Sequence, residues 1–185
     1  MPEQNIPYLY LMDVKTVQPV KLVMGIILAA QEDPAVFTLH LQRVFGKQDF
    51  QSPAYAFDLT DYYAPEMGAG LIRIFTAYQK LIEPDDLAEI KRLCNVIEQH
   101  FALAGKRVVN LDPGYLDLDK FVLASAKYGR QKICLGKGIY ADPTLYYFDK
   151  SFHAHEWSFP DFKSGRYDAD FLTLRQRYKQ QLRLR

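Results

Sequence analysis

The sequence is poor in the features that cross-link small proteins or anchor them in membranes. It has only two cysteines, Cys94 and Cys134, which are far apart and lack partners at the spacing of a metal site or a redox motif. The most apolar run, Val20 to Ala30, is about half as long as a membrane-spanning helix must be. These absences argue against a disulfide framework and a membrane anchor, and they predict a cytoplasmic protein with two buried thiols.

Neither positive nor negative charge predominates in the sequence, except at the C-terminus. Lys and Arg number 23 against 22 Asp and Glu, a net charge of +1, which indicates no general affinity for polyanions or membrane surfaces. After Leu172 there are five basic residues and no acid: Arg175, Arg177, Lys179, Arg183 and Arg185. A helix with this composition contacts nucleic-acid phosphates in one interpretation and only solvent in the other.

The composition predicts one globular domain over residues 1–185. Apolar residues make up 49% of the chain and aromatic residues 14%, which is enough to build a core without metals or disulfides. We find no internal repeat and no low-complexity segment. Three prolines precede residue 20, so we expect residues 1–19 to form an N-terminal arm, with Tyr8 to Leu11 lying against the body.

Hydrophobic periodicity predicts a core from residue 20 to residue 111. We expect strands at 21–29, 50–59, 71–82 and 106–111, a helix from Asp33-Pro34 to Gly46, a short helical turn at 65–67, and a helix from Pro84 to Ala104. The resulting order β-α-β-β-α-β is that of a ferredoxin-like fold, an antiparallel sheet with two helices on one face. The fold class is therefore predicted to be α+β.

The same spacing predicts which side chains face this core. In the first helix the expected stripe is Val36, Leu39, His40 and Val44; in the second it is Leu87, Ile90, Leu93, Cys94, Ile97 and Phe101. In the third strand, Ile74 and Tyr78 should face one side of the sheet, and Phe75 and Ala77 the other.

Residues 112–185 are predicted to extend the core. Residues 117–127 fit a helix or a strand, and we favour the helix. Segments 132–135, 139–148 and 153–159 indicate a β-meander with turns at Gly136-Lys137-Gly138 and Asp149-Lys150-Ser151. A terminal helix should begin near Asp168 and bury Phe171, Leu174, Tyr178 and Leu182.

Polar residues gather where the fourth predicted strand should end. Asn110, Asp112, Gly114 and Tyr115 lie in the motif Asn-Leu-Asp-Pro-Gly-Tyr. Asp112 would act as a base or metal ligand, Asn110 and Tyr115 would orient a ligand, and Gly114 would let backbone approach it. The alternative is that Asp-Pro-Gly only makes a turn.

A second candidate is the Gly136-Lys137-Gly138 segment. Its backbone N–H groups would cradle an anion, and Lys137, with Lys127, would supply charge. The alternative is a plain hairpin turn, because the spacing of a P-loop is absent. Arg73, Ser125 and Tyr140 complete the predicted ligand contacts. For Arg73 and Lys127 the alternative is ion pairing with the carboxylates of Asp58, Asp61, Glu66 and Asp112.

Carboxylates suggest a third candidate, for a metal ion. Asp58, Asp61 and Glu66 would join Asp112 around Mg²⁺, which prefers oxygen ligands; otherwise they are turn and cap residues. His153 and His155 would share a strand face, but a zinc site there lacks a well-spaced third ligand.

Several motifs follow one another from about Lys21 onward. They are Phe57-Asp58-Leu-Thr60-Asp61-Tyr62-Tyr63 with Glu66-Met-Gly68, Asn110-Leu-Asp112-Pro113-Gly114-Tyr115, Val122-Leu-Ala-Ser125-Ala-Lys127, Leu135-Gly136-Lys137-Gly138-Ile-Tyr140-Ala and Trp157-Ser-Phe-Pro160-Asp161. Together they resemble a bacterial domain-of-unknown-function family, DUF4416. The resemblance implies kinship over nearly the whole chain, but it carries no established activity.

We therefore predict a binding domain or enzyme for a small anionic ligand, phosphorylated or a nucleotide, with a pocket between the Asn-Leu-Asp-Pro-Gly-Tyr and Gly-Lys-Gly segments. One alternative is a nucleic-acid-binding accessory protein that uses the basic C-terminal helix. Another is a scaffold for protein partners. Val20 to Ala30 contains no aromatic residue, which argues against base stacking of the kind seen on RNA-recognition sheets.

Overall fold

The computed structural model describes residues 16–184, which form an α+β protein around one nine-stranded antiparallel sheet. The strands are β1 (Val20–Ala29), β2 (Gln48–Gln51), β3 (Tyr55–Ala56), β4 (Leu71–Ile82), β5 (Val109–Leu116), β6 (Lys120–Ser125), β7 (Ile133–Gly136), β8 (Ile139–Phe148) and β9 (Ser151–Ala154). The helices are α1 (Pro34–Phe45), α2 (Ala64–Met67), α3 (Leu87–His100), α4 (Pro160–Lys163) and α5 (Asp168–Arg183).

The centre of the sheet is β1, whose ten residues are all buried between β4 and β5. The strand order is β2-β4-β1-β5-β6-β8-β7, with β3 paired to β4 and β9 paired to β8. Because β6 occupies one edge of β8 over residues 140–146, β7 and β9 share the other edge. The three strands of the predicted meander exist, but the last one is Ser151–Ala154 rather than 153–159, and β6 completes the arrangement.

Two hydrophobic cores lie on opposite faces of the sheet. One face of β1 packs with α1 and α3, through residues that include Leu22, Met24, Ile26, Phe37, Leu41, Cys94 and Ile97. The other packs with α5, through residues that include Val23, Phe121, Phe171, Leu174 and Tyr178. Ile74 and Tyr78 join the first core and Phe75 and Ala77 the second, which confirms the prediction for β4.

The first helix is confirmed, but its predicted stripe is wrong. Asp33 caps it by accepting a hydrogen bond from the Ala35 N–H at 2.9 Å, and Gly46 ends it at a φ of 92°. The buried residues are Phe37, Thr38 and Leu41, whereas Val36, Leu39 and Val44 are exposed. Apolar residues form two rows along this helix. The row that contains Phe37 faces the core, because burying the aromatic ring removes more apolar surface from water.

The second long helix is shorter than predicted. A 3₁₀ turn at Pro84–Asp86 precedes α3, which ends at His100 rather than Ala104. Beyond it, Leu103 and Lys106 form an isolated bridge around Ala104 and Gly105, both at positive φ, so the chain reverses and β5 starts only at Val109. Leu87, Ile90, Cys94 and Ile97 are buried as predicted, but Leu93 is exposed.

The predicted strand over 50–59 is two short strands. Between β2 and β3, Pro53 has no N–H to donate to a ladder. The neighbouring Ser52 hydroxyl instead accepts a hydrogen bond from the Phe75 N–H at 2.8 Å. The helical turn expected at 65–67 is confirmed as α2.

The helix favoured for residues 117–127 is wrong. Asp117 turns the chain by accepting hydrogen bonds from the N–H groups of Asp119 and Lys120, and β6 follows. β6 pairs with both β5 and β8, which places Phe121 and Leu123 together in the second core. Pairing with two strands, and burial of the side chains from Phe121 to Ala124, therefore outweigh the competing helical spacing.

Three further predictions concern the hairpin turns, the cysteines and the N-terminal arm. The hairpin turns at Lys137-Gly138 and Asp149-Lys150 are confirmed, since all four residues have the positive φ that tight two-residue turns require. Cys94 is buried, but Cys134 is exposed, so the second buried thiol is wrong. The arm contacts predicted for Tyr8 to Leu11 lie outside the described residues. Within residues 16–184, no helix is both long and apolar enough to cross a membrane.

Candidate functional site

β5 and β6 are hydrogen-bonded over only part of their length, so the sheet is open between them at one end. β5 pairs with β1 from Val109 to Leu116, but it pairs with β6 only from Gly114 onward. Asp112-Pro113-Gly114 is therefore inside a strand, and the predicted Asp-Pro-Gly turn is wrong. Pro113 has no N–H for a ladder, which fits its position just before the pairing with β6 begins.

Side chains of α3 occupy the place of the missing strand. The Lys91 ammonium donates to the Leu111 carbonyl at 2.6 Å, and the Glu98 carboxylate accepts from the Leu111 N–H at 2.8 Å. Both backbone groups of Leu111 are thus satisfied without β6. A cleft of about 140 Å³ lies at this division of the sheet.

The cleft is lined mainly by charged and polar side chains. Its basic residues are Arg73, Lys91, Arg107, Lys127 and Lys132, and its acidic residues are Asp112 and Asp142. Asn95, Asn110 and Ser125 add neutral polar groups, and Tyr62, Tyr63 and Phe159 form an aromatic wall. Five positive charges against two negative ones line the cleft directly.

Arg73 is 2% exposed, and its side chain is held in place by an ion pair and by aromatic rings. Its Nη1 donates to Asp161 at 2.5 Å, and the Tyr167 hydroxyl donates to the same carboxylate oxygen at 2.9 Å. Its guanidinium also lies 4.8 Å from the centre of the Phe57 ring and 5.2 Å from that of Phe162. Charge pairing and ring contacts fix the position of this side chain before any ligand arrives.

Part of that guanidinium has no hydrogen-bond partner. Nε is buried without an acceptor in the described part of the chain, and Nη2 comes no closer than 3.8 Å to its nearest ion-pair partner, Asp112. Nε and Nη2 together form the side-on fork with which arginine binds two oxygen atoms. Arg73, which lines the cleft, thus has a buried Nε without an acceptor and an Nη2 whose nearest carboxylate is 3.8 Å away.

Asn110, which is 3% exposed, is the second lining residue with an unpaired donor. Its Oδ1 accepts from Arg107 Nη1 at 2.9 Å, which assigns the amide orientation, whereas its buried Nδ2 has no acceptor within residues 16–184. Arg107 itself is turned toward Glu66, which accepts from Nε at 2.7 Å and from Nη2 at 2.5 Å. These hydrogen bonds lower the pKa of Glu66 and raise that of Arg107.

Asp112 lies between two cations. Its carboxylate is 3.8 Å from Arg73 Nη2 and 3.7 Å from Lys91 Nζ. Burial, and then the Asp112 charge, raises the pKa of the neighbouring Tyr63 well above its ordinary value, so that phenol remains a neutral donor. Asp112 therefore neutralises and positions Arg73 and Lys91.

Ser125 does not have the surroundings of a nucleophile. Its Oγ accepts from Lys132 Nζ at 2.8 Å, and Lys132 pairs with Asp142 at 3.1 Å. A lysine that donates to a carboxylate is not a base for the serine hydroxyl. Lys127, at the mouth, donates to the Tyr62 hydroxyl and lies over the Tyr62 ring.

The structure brings together five of the predicted site residues: Arg73, Asn110, Asp112, Ser125 and Lys127 all line the cleft. Tyr115, Gly136, Lys137, Gly138 and Tyr140 do not. Lys137 pairs with Glu89 on α3, Tyr140 contacts the Tyr128 ring, and Tyr115 packs beside another core cluster. Gly114 allows close approach of the Phe121 ring, because an added Cβ would lie 2.6 Å from it. The predicted pocket is therefore only partly reproduced: the Asn-Leu-Asp motif lines the cleft, and the Gly-Lys-Gly hairpin is elsewhere.

The predicted metal ligands are separated. Asp58 pairs with Arg166 and Glu66 with Arg107. In the described residues, no group of three or more His, Cys, Asp or Glu side chains is placed to hold a metal ion, and Asp61 and Asp112 join no such group. His153 bonds to Ser151 and Phe148 O, and His155 stacks on Trp157 with ring centres 4.7 Å apart.

The basic terminal helix is partly engaged in the fold. Arg175 donates to the Leu118 carbonyl and lies 3.6 Å from the centre of the Tyr147 ring. Arg177 lies 6.0 Å from the Phe50 ring, whereas Arg185 is outside the described residues. Contact of this helix with nucleic acid stays a prediction.

Several residues that line the cleft, and Glu98 behind it, were missed by the sequence analysis. Lys91 and Glu98 lie seven residues apart on the buried stripe of α3, and charged residues at stripe positions are the signal that could have found them. Arg107, Lys132 and Asp142 carry no such signal, because their neighbours in the cleft are distant in sequence.

Comparison with known proteins gives a family but no function. Residues 18–178 match the family described as Domain of unknown function (DUF4416), and the chain belongs to that family. Neither the curated proteins nor the solved structures contain a match to the chain.

Proposed function

We propose that this member of the DUF4416 family binds a small oxyanion in the cleft between β5 and β6. One observation carries the proposal: two buried side chains that line the cleft, Arg73 and Asn110, have donors without acceptors in the described residues. Leaving a buried donor unpaired costs about 1–3 kcal/mol, and more for a charged group. An oxygen-rich ligand would remove that cost at both residues.

Placed donors, rather than a large excess of charge, support an oxyanion. The lining has three positive charges in excess, but Glu98 and Asp161 lie behind it and pair with Lys91 and Arg73. Charges that are already balanced by the protein remain ionised and fixed when a ligand binds. We therefore expect selectivity for acceptors at defined positions rather than general attraction of polyanions.

The size of the cleft favours a small ligand or a small head group. Its volume of about 140 Å³ is below the roughly 300–1,000 Å³ of pockets that enclose drug-sized molecules. A whole nucleotide would therefore not be enclosed.

The strand order also supports a finer description of the fold. We infer that residues 20–116 are a ferredoxin-like unit, since β2-β4-β1-β5 with α1 and α3 on one face has that connectivity. The face that RNA-recognition domains expose is covered here by α5, because Phe171, Leu174 and Tyr178 pack against it. This covering supports a cleft ligand over base stacking on the open sheet.

Thermal unfolding against a panel of oxyanions tests the proposal. Phosphate, sulfate, acetate and chloride would be titrated at constant ionic strength, because a ligand bound only by the folded state raises its melting temperature with concentration. We expect a saturable rise with at least one oxyanion and none with chloride. The rise should be lost in Asn110→Asp, which keeps the acceptor for Arg107 but replaces the free donor with a carboxylate.

Lys137→Ala is the matched control, since it removes a positive charge outside the cleft. No saturable rise with any oxyanion, or an equal rise in the Asn110→Asp variant, would refute the proposal.

A further inference from the structure

We propose that the oxyanion is the phosphoryl group of a phosphate monoester. This inference rests on the proposed function, since it concerns the same cleft, and it goes further by naming the ligand class. The inference compares two things. One is the number and direction of the unpaired donors in the cleft, and the other is the number of oxygen atoms and the charge of each candidate head group.

Three elements contribute donors to the cleft. Arg73 on β4 offers the Nε and Nη2 fork, and Asn110 on β5 offers both N–H groups of Nδ2. Lys127, just after β6, brings a third donor whose only hydrogen-bond acceptor among the described side chains is the Tyr62 hydroxyl. These donors belong to side chains from separate strands and a loop around one small cleft.

A carboxylate presents all of its acceptor sites in one plane. An arginine fork uses one lone pair on each of the two oxygens, and the lone pairs that remain lie in the plane of that fork. The three terminal oxygens of a phosphate monoester point in different directions, so two can take the Arg73 fork while the third faces Asn110 and Lys127. The phosphoryl group is thus the head group that satisfies all three residues.

Charge favours a dianion over a monoanion. Lys91, Arg107 and Lys132 each have a carboxylate within ion-pair distance, but Lys127 has none within 4.0 Å in the described residues. Arg73 carries Asp161 at 2.5 Å and Asp112 only at 3.8 Å. Asp161 and Asp112 already balance the charge of Arg73, so the second negative charge that a phosphate monoester carries above its second pKa of about 6 is available to Lys127, whereas a sulfate monoester carries only one charge.

The shape of the cleft orients the ester. Arg73 and Asn110 are buried at 2% and 3% exposure, whereas Tyr62, which is 48% exposed, stands with Phe159 in the aromatic wall. The Tyr62 ring contacts Phe159 with ring centres 5.8 Å apart. The organic part of the ester would therefore leave past this wall and contact Tyr62.

Isothermal titration calorimetry at constant ionic strength tests the inference. The probes are phenyl phosphate, phenyl sulfate and benzoate, which share a ring and differ in the head group. We expect phenyl phosphate to bind at least about tenfold more tightly than either of the others, since only its head group combines three terminal oxygens with a second negative charge. Its affinity should fall between pH 7.5 and pH 5.5, as the dianion of about pKa 6 gains a proton, while that of phenyl sulfate should not.

Variants locate the head group. Asn110→Asp and Lys127→Ala should each weaken phenyl phosphate by about tenfold or more, and Lys137→Ala should not change its binding. Because Lys127 and Lys137 are both exposed, neither lysine variant should disturb the fold, and far-ultraviolet circular dichroism checks this.

The outcomes separate this inference from the proposed function. If benzoate or phenyl sulfate binds as tightly as phenyl phosphate and binding still requires Asn110, the inference is overturned and the oxyanion cleft stands. A phenyl phosphate affinity that does not change between pH 7.5 and 5.5 also overturns it. If none of the three probes binds, and the thermal unfolding panel shows no effect, both proposals fail.

Discussion

Lys91 and Glu98, two turns apart on α3, bind the carbonyl oxygen and the N–H of the same residue, Leu111. They therefore replace the strand that β5 lacks along its free edge. The two side chains are also 3.7 Å from each other, and both are almost fully buried. This helix-to-strand contact keeps the sheet divided and gives the cleft its position.

Removal of either partner should be strongly destabilising. Lys91→Met leaves the Leu111 carbonyl, Glu98 and Asp112 without this cation, and loss of one member of a buried pair costs about 3–5 kcal/mol. Urea denaturation measures the free energy of unfolding. Arg92→Met, one residue along on the exposed face, is the control and should leave stability unchanged; equal losses in the two variants would contradict the contact.

Arg73 and Asp161 allow stability to be separated from binding. Asp161→Asn leaves Arg73 buried with a weaker partner, so we expect a loss of stability and a cooperative but lower melting temperature. The double replacement Arg73→Met, Asp161→Leu should recover much of that stability, because an apolar pair can substitute for a buried ion pair. It should not recover oxyanion binding. A double variant that is stable and still binds the oxyanion would show that Arg73 has no part in the site.

Gly114 should not tolerate a side chain. An added Cβ would lie 2.6 Å from the Phe121 ring and 2.7 Å from the Val122 carbonyl oxygen. We expect Gly114→Ala to lose about 1–3 kcal/mol of stability through overpacking, as measured by chemical denaturation. Gly25→Ala on the neighbouring strand is the control, because its closest contact would be an ordinary 3.4 Å. A smaller loss at Gly114 than at Gly25 would argue against this packing.

Stability should fall in acid through Glu66. The Arg107 hydrogen bonds lower the pKa of Glu66 from its ordinary 4.5, so its contribution is complete above that value. The contribution is lost as the pH falls below 4.5 and through the lowered pKa, because the unfolded state then binds the proton first. The free energies of unfolding of wild type and Glu66→Gln should differ near pH 6, and the difference should shrink progressively as the pH is lowered below 4.5. A constant difference over this range would show that the ion pair does not contribute.

Local patterns predicted most elements, and long-range contacts decided the rest. The Asp33-Pro34 start, the faces of β4 and the two tight turns follow from cap, alternation and turn chemistry within a few residues. Strand β6 and the strand conformation of Asp112-Pro113-Gly114 depend on pairing with β1 and β8, which no local window contains.

The candidate site shows the same division. Asn110 and Asp112 were predicted from their position at the expected end of the fourth strand, although both lie inside β5. Lys91 and Glu98 had a signal in the sequence as charged residues on the apolar stripe of α3. Arg107, Lys132 and Asp142 became neighbours only through the fold. The distance between the Gly136-Lys137-Gly138 hairpin and the cleft could not be read from the sequence either, since it follows from the position of β7 at the far end of the sheet.

Nuclear magnetic resonance of the Asn110 side-chain amide tests the central claim most directly. Its two ¹⁵N-bound protons can be assigned by their disappearance in Asn110→Asp, and inorganic phosphate can then be titrated at constant ionic strength. The account predicts that these resonances shift as phosphate is added, because Nδ2 gains its missing acceptor. The dissociation constant from this titration should equal the one obtained from the rise in melting temperature with phosphate. Amide resonances of Asn110 that stay fixed while phosphate raises the melting temperature would contradict the account and place the anion elsewhere.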